Sequence, residues 1–345
     1  MWRRIALCVV LGGCGFHSRA GLAGDLPPDG DAPGGDMPGG DAPGGDAGAG
    51  SDGGSDGGSS GTTSCLQRWL DGGPGLALSQ PTELALATTT DDRDPWISAD
   101  GLRLYFSRNP GQQGGRDIYL ATRASTAVDF AGASAVVNLD TQDDESRAAL
   151  SGDEKMVVFS GNHGTMNNHF QLFVSRRGDP TMPFGSPSGP DQALVASVNT
   201  ANDDYFDPFL SMDGLRLYLA PNLPGSGQHI RMATRMALDK NFAASVPVAV
   251  INGTSADADP ALSLDERIIV FSSLRAAGAG LGATNLWYAT RPSAAADFAA
   301  PKLIPNVNSD QSDGDPVLSA DGCELYFAST RVGGKFHLFR ARVVQ

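Results

Sequence analysis

One motif is written five times in this chain, and a recurrence of that kind limits the folds available to it. It reads D-P-W-I-S-A-D-G-L-R-L-Y-F at Asp94–Phe106 and S-R-A-A-L-S-G-D-E-K-M-V-V-F at Ser146–Phe159. It returns as D-P-F-L-S-M-D-G-L-R-L-Y-L at Asp207–Leu219, D-P-A-L-S-L-D-E-R-I-I-V-F at Asp259–Phe271 and D-P-V-L-S-A-D-G-C-E-L-Y-F at Asp315–Phe327. The shared serines are Ser98, Ser151, Ser211, Ser263 and Ser319, giving spacings of 53, 60, 52 and 56 residues. A period of this length with strand patterning implies radial repetition of small sheets, one blade per repeat.

Each unit carries four strand signals. A short apolar strand such as Trp96-Ile97 leads through an Asp-Gly turn to an alternating one, Leu102–Phe106. A glycine-rich loop precedes the third, as in Asp117–Arg123 or Leu286–Arg291. The fourth is expected near a recurrent Asn, at residues 136–138, 197–199, 250–252 and 306–308, with a recurrent Phe before it (Phe130, Phe184, Phe242, Phe298). The fifth fourth-strand segment, Gln80–Leu86, precedes the first motif, so the N-terminal strand is expected to close the last blade and remove an open sheet edge. The expected fold is all-β: a propeller of five four-stranded blades.

The S-x-D-G-x-x-L-Y-F core, the S-x-R after it and the closing aromatic-x-A-T-R resemble the WD-like repeats of TolB-type propellers over Pro81–Arg342. That family usually has six blades, so a six-bladed TolB-like ring is the alternative. It hosts many unrelated roles, and function does not follow from the fold.

The chain opens M-W-R-R-I-A-L-C-V-V-L-G-G-C, a basic end and a short apolar run that read as an export signal. Leu11-Gly12-Gly13-Cys14 resembles the lipobox of bacterial lipoproteins, which implies lipidation of Cys14 and anchoring in the cell envelope, with the outer membrane favoured. The expected organisation is a signal peptide at 1–13, a lipidated Cys with a disordered Gly/Asp/Pro-rich linker at 14–64, and the propeller at 65–345. Residues 20–64 lack Lys, Arg and aromatic side chains and cannot bury a core. Eight of the 39 acids and three of the 25 Lys and Arg lie upstream of residue 65, leaving the propeller at about −9. That charge argues against nucleic acid as a partner.

The loops entering each blade are acidic, with fifteen Asp and Glu in all. Asp94, Asp144, Asp207, Asp259 and Asp315 form the candidate cation or ligand face, with calcium as the candidate ion and no other cofactor expected. The alternative assigns the Asp-Pro aspartates to capping loop N–H groups and pairing with Arg108, Arg275 or Arg331. Asp94-Pro95 also resembles the start of five-bladed glycosidases, in which a channel carboxylate acts as base. Its recurrence in four of five blades favours a structural role, and no Glu stands out as an acid partner. The five His show no zinc spacing. With Cys8 in the signal and Cys14 lipidated, Cys65 and Cys323 remain as a candidate disulfide fastening the closing blade. The expectation is therefore a monomeric, membrane-tethered, non-enzymatic module binding an envelope protein, peptide or glycan. A glycan-active hydrolase and a passive envelope protein are the alternatives.

Overall fold

The computed structural model describes residues 63–344 apart from 112–114, 165–167 and 201. The signal peptide, Cys14 and the linker as far as residue 62 lie outside the described residues. Five small antiparallel sheets make up the domain. Blade 1 runs Asp92–Ile97, Arg103–Arg108, Asp117–Thr122 and Ala131–Ala135 from axis to rim. Blade 2 has Glu145–Leu150, Met156–Gly161 and Gln171–Arg176. Blade 3 has Phe209–Leu210, Arg216–Leu219, Arg231–Thr234 and Val246–Pro247. Blade 4 has Asp257–Leu262, Ile268–Ser273, Asn285–Thr290 and Lys302–Leu303. Blade 5 has Asp313–Leu318, Glu324–Ser329 and His337–Arg342, and its outer strand is the N-terminal Thr82–Glu83, antiparallel with Thr82 opposite Arg340. Each inner strand packs on its neighbours', and that of blade 5 packs on that of blade 1, so the ring closes at five and the six-bladed alternative is excluded.

The repeated S-x-D builds the same turn in each blade. In blade 1 the Ser98 hydroxyl donates to Asp100 at 2.6 Å and accepts from the Arg103 N–H at 2.9 Å, while Asp100 accepts from the Leu102 N–H at 2.9 Å. Ser211 with Asp213 and Ser319 with Asp321 repeat the geometry. Buried polar groups are thereby satisfied locally. The recurrent Phe has its own partner. Arg123, Arg177, Arg235 and Arg291 lie over Phe130, Phe184, Phe242 and Phe298 at 4.2–4.6 Å. Each of these Arg also donates to a carbonyl of the turn, such as Gly101 or Glu266, at 2.6 Å.

The outer strands differ from expectation. They fall before the recurrent Asn, and Asn199, Asn252 and Asn308 instead bracket a third-strand residue with their side-chain amides. Asn252 accepts from the Ile230 N–H at 2.8 Å and donates to its carbonyl at 2.9 Å. Asn199 does the same for Leu172, and Asn308 for Leu286. Blade 2 has no fourth strand among the described residues. A 3₁₀ helix, Pro190–Val195, takes its place, and Gln192 bonds the Val174 N–H and carbonyl at 3.1 and 2.6 Å as a strand would. The longest repeat spacing, 60 residues, and the segment S-P-S-G-P account for this substitution.

A helix not anticipated from sequence, Cys65–Asp71, precedes the closing strand. Ser64 caps it by accepting from the Gln67 N–H at 3.2 Å. Trp69 is fully buried against Tyr288, and its indole N–H donates to the Gly322 carbonyl at 2.9 Å. Cys65 and Cys323 are joined, with their Cα atoms 5.0 Å apart.

Candidate functional site: a carboxyl floor beneath divergent walls

In four of the blades the innermost strand carries a bulge at the place where blade 1 has its Asp-Pro step. Register slips between Arg93 and Trp96, Ser146 and Ala149, Ala258 and Ala261, and Gly314 and Val317. The residue at that place has positive φ in all five blades: Asp94 56°, Arg147 53°, Asp207 56°, Asp259 54° and Asp315 55°. Left-handed backbone is unfavourable for side chains other than Gly, Asn and Asp, and bulges redirect the side chain. Four carboxyls and one guanidinium are gathered in this way. Carboxylate oxygens of Asp94, Asp259 and Asp315 lie within 4.8 Å of one another.

Arg147 is buried among them. Its Nη1 is 4.0 Å from Asp94 and 3.9 Å from Asp315, and its Nη2 donates to the Pro260 carbonyl at 3.3 Å. Asp259 Oδ2 accepts from the Ser272 hydroxyl and from the Asp315 N–H, the latter at 3.2 Å. Asp207 Oδ2 accepts from Gln228 at 3.2 Å. Burial pushes the Asp207 and Asp315 carboxyls well above the usual range, and the charge of Asp259 adds to it. Burial opposes ionisation of Asp259 too, but the Arg147 charge and the hydrogen bonds from Ser272 and Asp315 hold it below the ordinary value. Carboxyls on one floor are thus pushed in opposite directions.

A cavity of about 420 Å³ opens above this floor. Its walls are two further rings, each made of one residue per blade. The residue before each of those positions supplies Arg93, Ser146, Phe206, Ala258 and Gly314. The second ring is Arg116, Phe170, Thr284 and Phe336, each just before a third strand, with Gln228 three residues before that of blade 3. The floor nearly repeats around the ring, whereas the walls do not. Phe170 and Phe206 stand 5.0 Å apart between centroids, and the Arg93 guanidinium lies over Phe336 at 3.4 Å.

Several sequence expectations are corrected here. The Asp-Pro aspartates do not pair with Arg108, Arg275 and Arg331. Those arginines hold the buried carboxylates two positions earlier, Asp92, Asp257 and Asp313, at 2.5–2.6 Å. Asp144 is not the blade 2 counterpart of the others. It accepts from the Arg116 N–H at 2.8 Å, and Arg147 occupies the floor position instead. Sequence reading missed Arg147 because the motif there reads S-R-A-A in place of D-P, although its alignment with Asp94 was the available signal.

The fold and the site together define a five-bladed propeller with a carboxyl-lined central pocket. No protein-family model matches the chain, and no curated protein matches its sequence significantly. Among solved structures it is similar to a thermostable family-43 glycoside hydrolase at 14% identity, covering 76% of this chain and 92% of that one, with a TM-score of 0.48. The catalytic domain of the Coprinopsis cinerea GH62 α-L-arabinofuranosidase gives 11% identity, coverage of 78% and 96%, and a TM-score of 0.49. TolB from Acinetobacter baumannii gives 16% identity and a TM-score of 0.42, with 75% of this chain matching 55% of that protein. These likenesses concern the fold. The expectation of a non-enzymatic module is corrected to this extent: structures of similar fold include glycoside hydrolases, so the fold does not separate a binding module from an enzyme. Its physical premise also fails: the aspartates assigned to loop capping line a pocket.

Proposed function

We propose that this propeller is a carbohydrate-active protein that seats a sugar in the central pocket and uses the floor carboxyls on its glycosidic bond. One observation carries the reading. Asp315 is buried with a raised pKa, lines the cavity, and its Oδ2 has no hydrogen-bond partner among the described residues. A carboxyl whose burial favours its neutral form, in a residue lining a cavity, is suited to deliver a proton to a leaving-group oxygen. Asp94 supplies the second carboxyl, close to the first. Closely spaced carboxyls stand nearer the roughly 5–5.5 Å of retaining glycosidases than the roughly 6.5–9.5 Å of inverting ones. The volume suits a small ligand, and Phe170, Phe206 and Phe336 offer apolar faces to sugar C–H groups.

A panel of chromogenic aryl glycosides tests this, with the anomer of the first product read by NMR. Turnover with retention, lost in Asp315→Asn while the fold is kept, is the expected result. Sugar binding without turnover across the panel removes the catalytic half of the proposal, and absence of binding removes the whole. Attachment to an envelope membrane through Cys14 is proposed alongside it, on the lipobox-like Leu11–Cys14. Metabolic labelling with a palmitate analogue should mark the wild type and not Cys14→Ser.

A further inference from the structure

We infer that the sugar taken by this pocket carries a carboxylate, as a hexuronate does, and that Arg93 and Arg116 recognise it; the inference rests on the sugar reading above. Two observations lead there. The first is that neither guanidinium is held by a close carboxylate as Arg108, Arg275 and Arg331 are. Arg108, Arg275 and Arg331 each hold a carboxylate at 2.5–2.6 Å. Arg93 lies flat on Phe336, and its Nε is shielded from solvent with no hydrogen-bond acceptor among the described residues. The nearest described carboxylate to the Arg116 guanidinium is Asp94 at 4.0 Å, too far for a hydrogen bond. A guanidinium at a cavity wall without a close carboxylate leaves donors available, and a planar, fixed fork of donors suits a carboxylate.

The second observation is where they sit. At the position of Arg93 the other blades carry Ser146, Phe206, Ala258 and Gly314, and at that of Arg116 they carry Phe170, Gln228, Thr284 and Phe336. The scaffold therefore requires no cation at either place. Both arginines belong to blade 1 and flank Asp94, so positive charge is confined to one side of the pocket. Arg93 and Arg116 line the cavity, and the buried Arg147 lies beneath it against Asp94 and Asp315. Phe336 packs against the Arg93 guanidinium, a cation–π contact that restrains it.

The test is calorimetric binding of tri-galacturonate and of the same trisaccharide with its carboxylates reduced to alcohols. Arg93→Ser and Arg116→Thr install residues that blades 2 and 4 already carry at those places, so both variants are compatible with the scaffold. The expected result is binding of the acidic form roughly ten- to hundredfold tighter than the reduced form. Each substitution should narrow that ratio by weakening the acidic form more than the reduced form. Equal affinity for the two forms, or a preference that survives the double variant, overturns the inference and leaves the sugar reading standing. Failure of both trisaccharides, together with the neutral glycosides above, overturns both.

Discussion

Replacing Arg147 by Met should cost the fold more than any surface substitution, and the cost should depend on pH. Arg147 is buried at the hub of four carboxyls, with Asp94 and Asp315 at 4.0 and 3.9 Å. Its charge is a principal reason why Asp259 stays ionised in a buried place. Removing one partner from a buried ionic cluster typically costs about 3–5 kcal/mol, because an uncompensated charge remains. For about 280 ordered residues the unfolding entropy is roughly 0.6 kcal/mol per degree, so the melting temperature should fall by about 5–8 °C at pH 7.5. The depressed pKa of Asp259 means that its contribution to stability is present above the unfolded carboxyl value near pH 4 and is lost as pH falls through the folded value. In Arg147→Met that contribution is absent, and burial alone favours the neutral acid. The gap between wild type and variant should therefore be widest at pH 7.5 and shrink by pH 4. Differential scanning calorimetry at both pH values reads this, with Arg147→Lys as a charge-preserving control. An equal loss at the two pH values, or a loss under 1 °C at pH 7.5, would refute the electrostatic account of the hub.

Other outcomes follow from the same geometry. Cys65→Ser with Cys323→Ser opens a loop of 258 residues, worth up to about 5 kcal/mol of unfolded-state entropy. Hydrogen exchange should then show loss of protection at the outer edge of His337–Arg342, and unchanged protection would argue against the clamp. Asp117 is pushed up to about 7 by burial and the neighbouring Asp140 carboxyl. A raised acid contributes stability below pH 4 that is lost as pH climbs to 7, so Asp117→Asn should match wild type at pH 4 and melt higher at pH 8. A variant that melts lower at pH 8 would contradict the burial argument. Ser98→Ala leaves the Arg103 N–H without its side-chain acceptor and should cost about 1–3 kcal/mol in thermal denaturation.

The repeat made the architecture readable before any coordinates. Blade number, ring closure by residues near Thr82 and the S-x-D turn all follow from self-similarity, because each copy constrains its neighbours. The site was harder to read for the same reason. Asp94, Asp207, Asp259 and Asp315 recur, and recurrence looked like loop chemistry, whereas a positive φ gathers all four on the floor of one pocket. Neither the φ values nor the slipped register has a signature in D-P alone. The structurally paired acids, Asp92, Asp257 and Asp313, lie two residues away, a shift that strand alternation alone does not reveal across a bulge. In blade 2, Gln192 and Asn199 imitate a strand with side chains, which no hydrophobic period records.

The sulfur bridge between Cys65 and the blade 5 hairpin also sets a route for mechanical load. A pull on the chain ahead of Cys65 passes through that covalent link into Glu324–Ser329, one of the inner strands, and bypasses the short Thr82–Glu83 pairing. The seam where the N-terminal strand closes blade 5 is thus kept out of tension. A molecule held by its leading end while gripping something in its pocket would unzip there only after reduction.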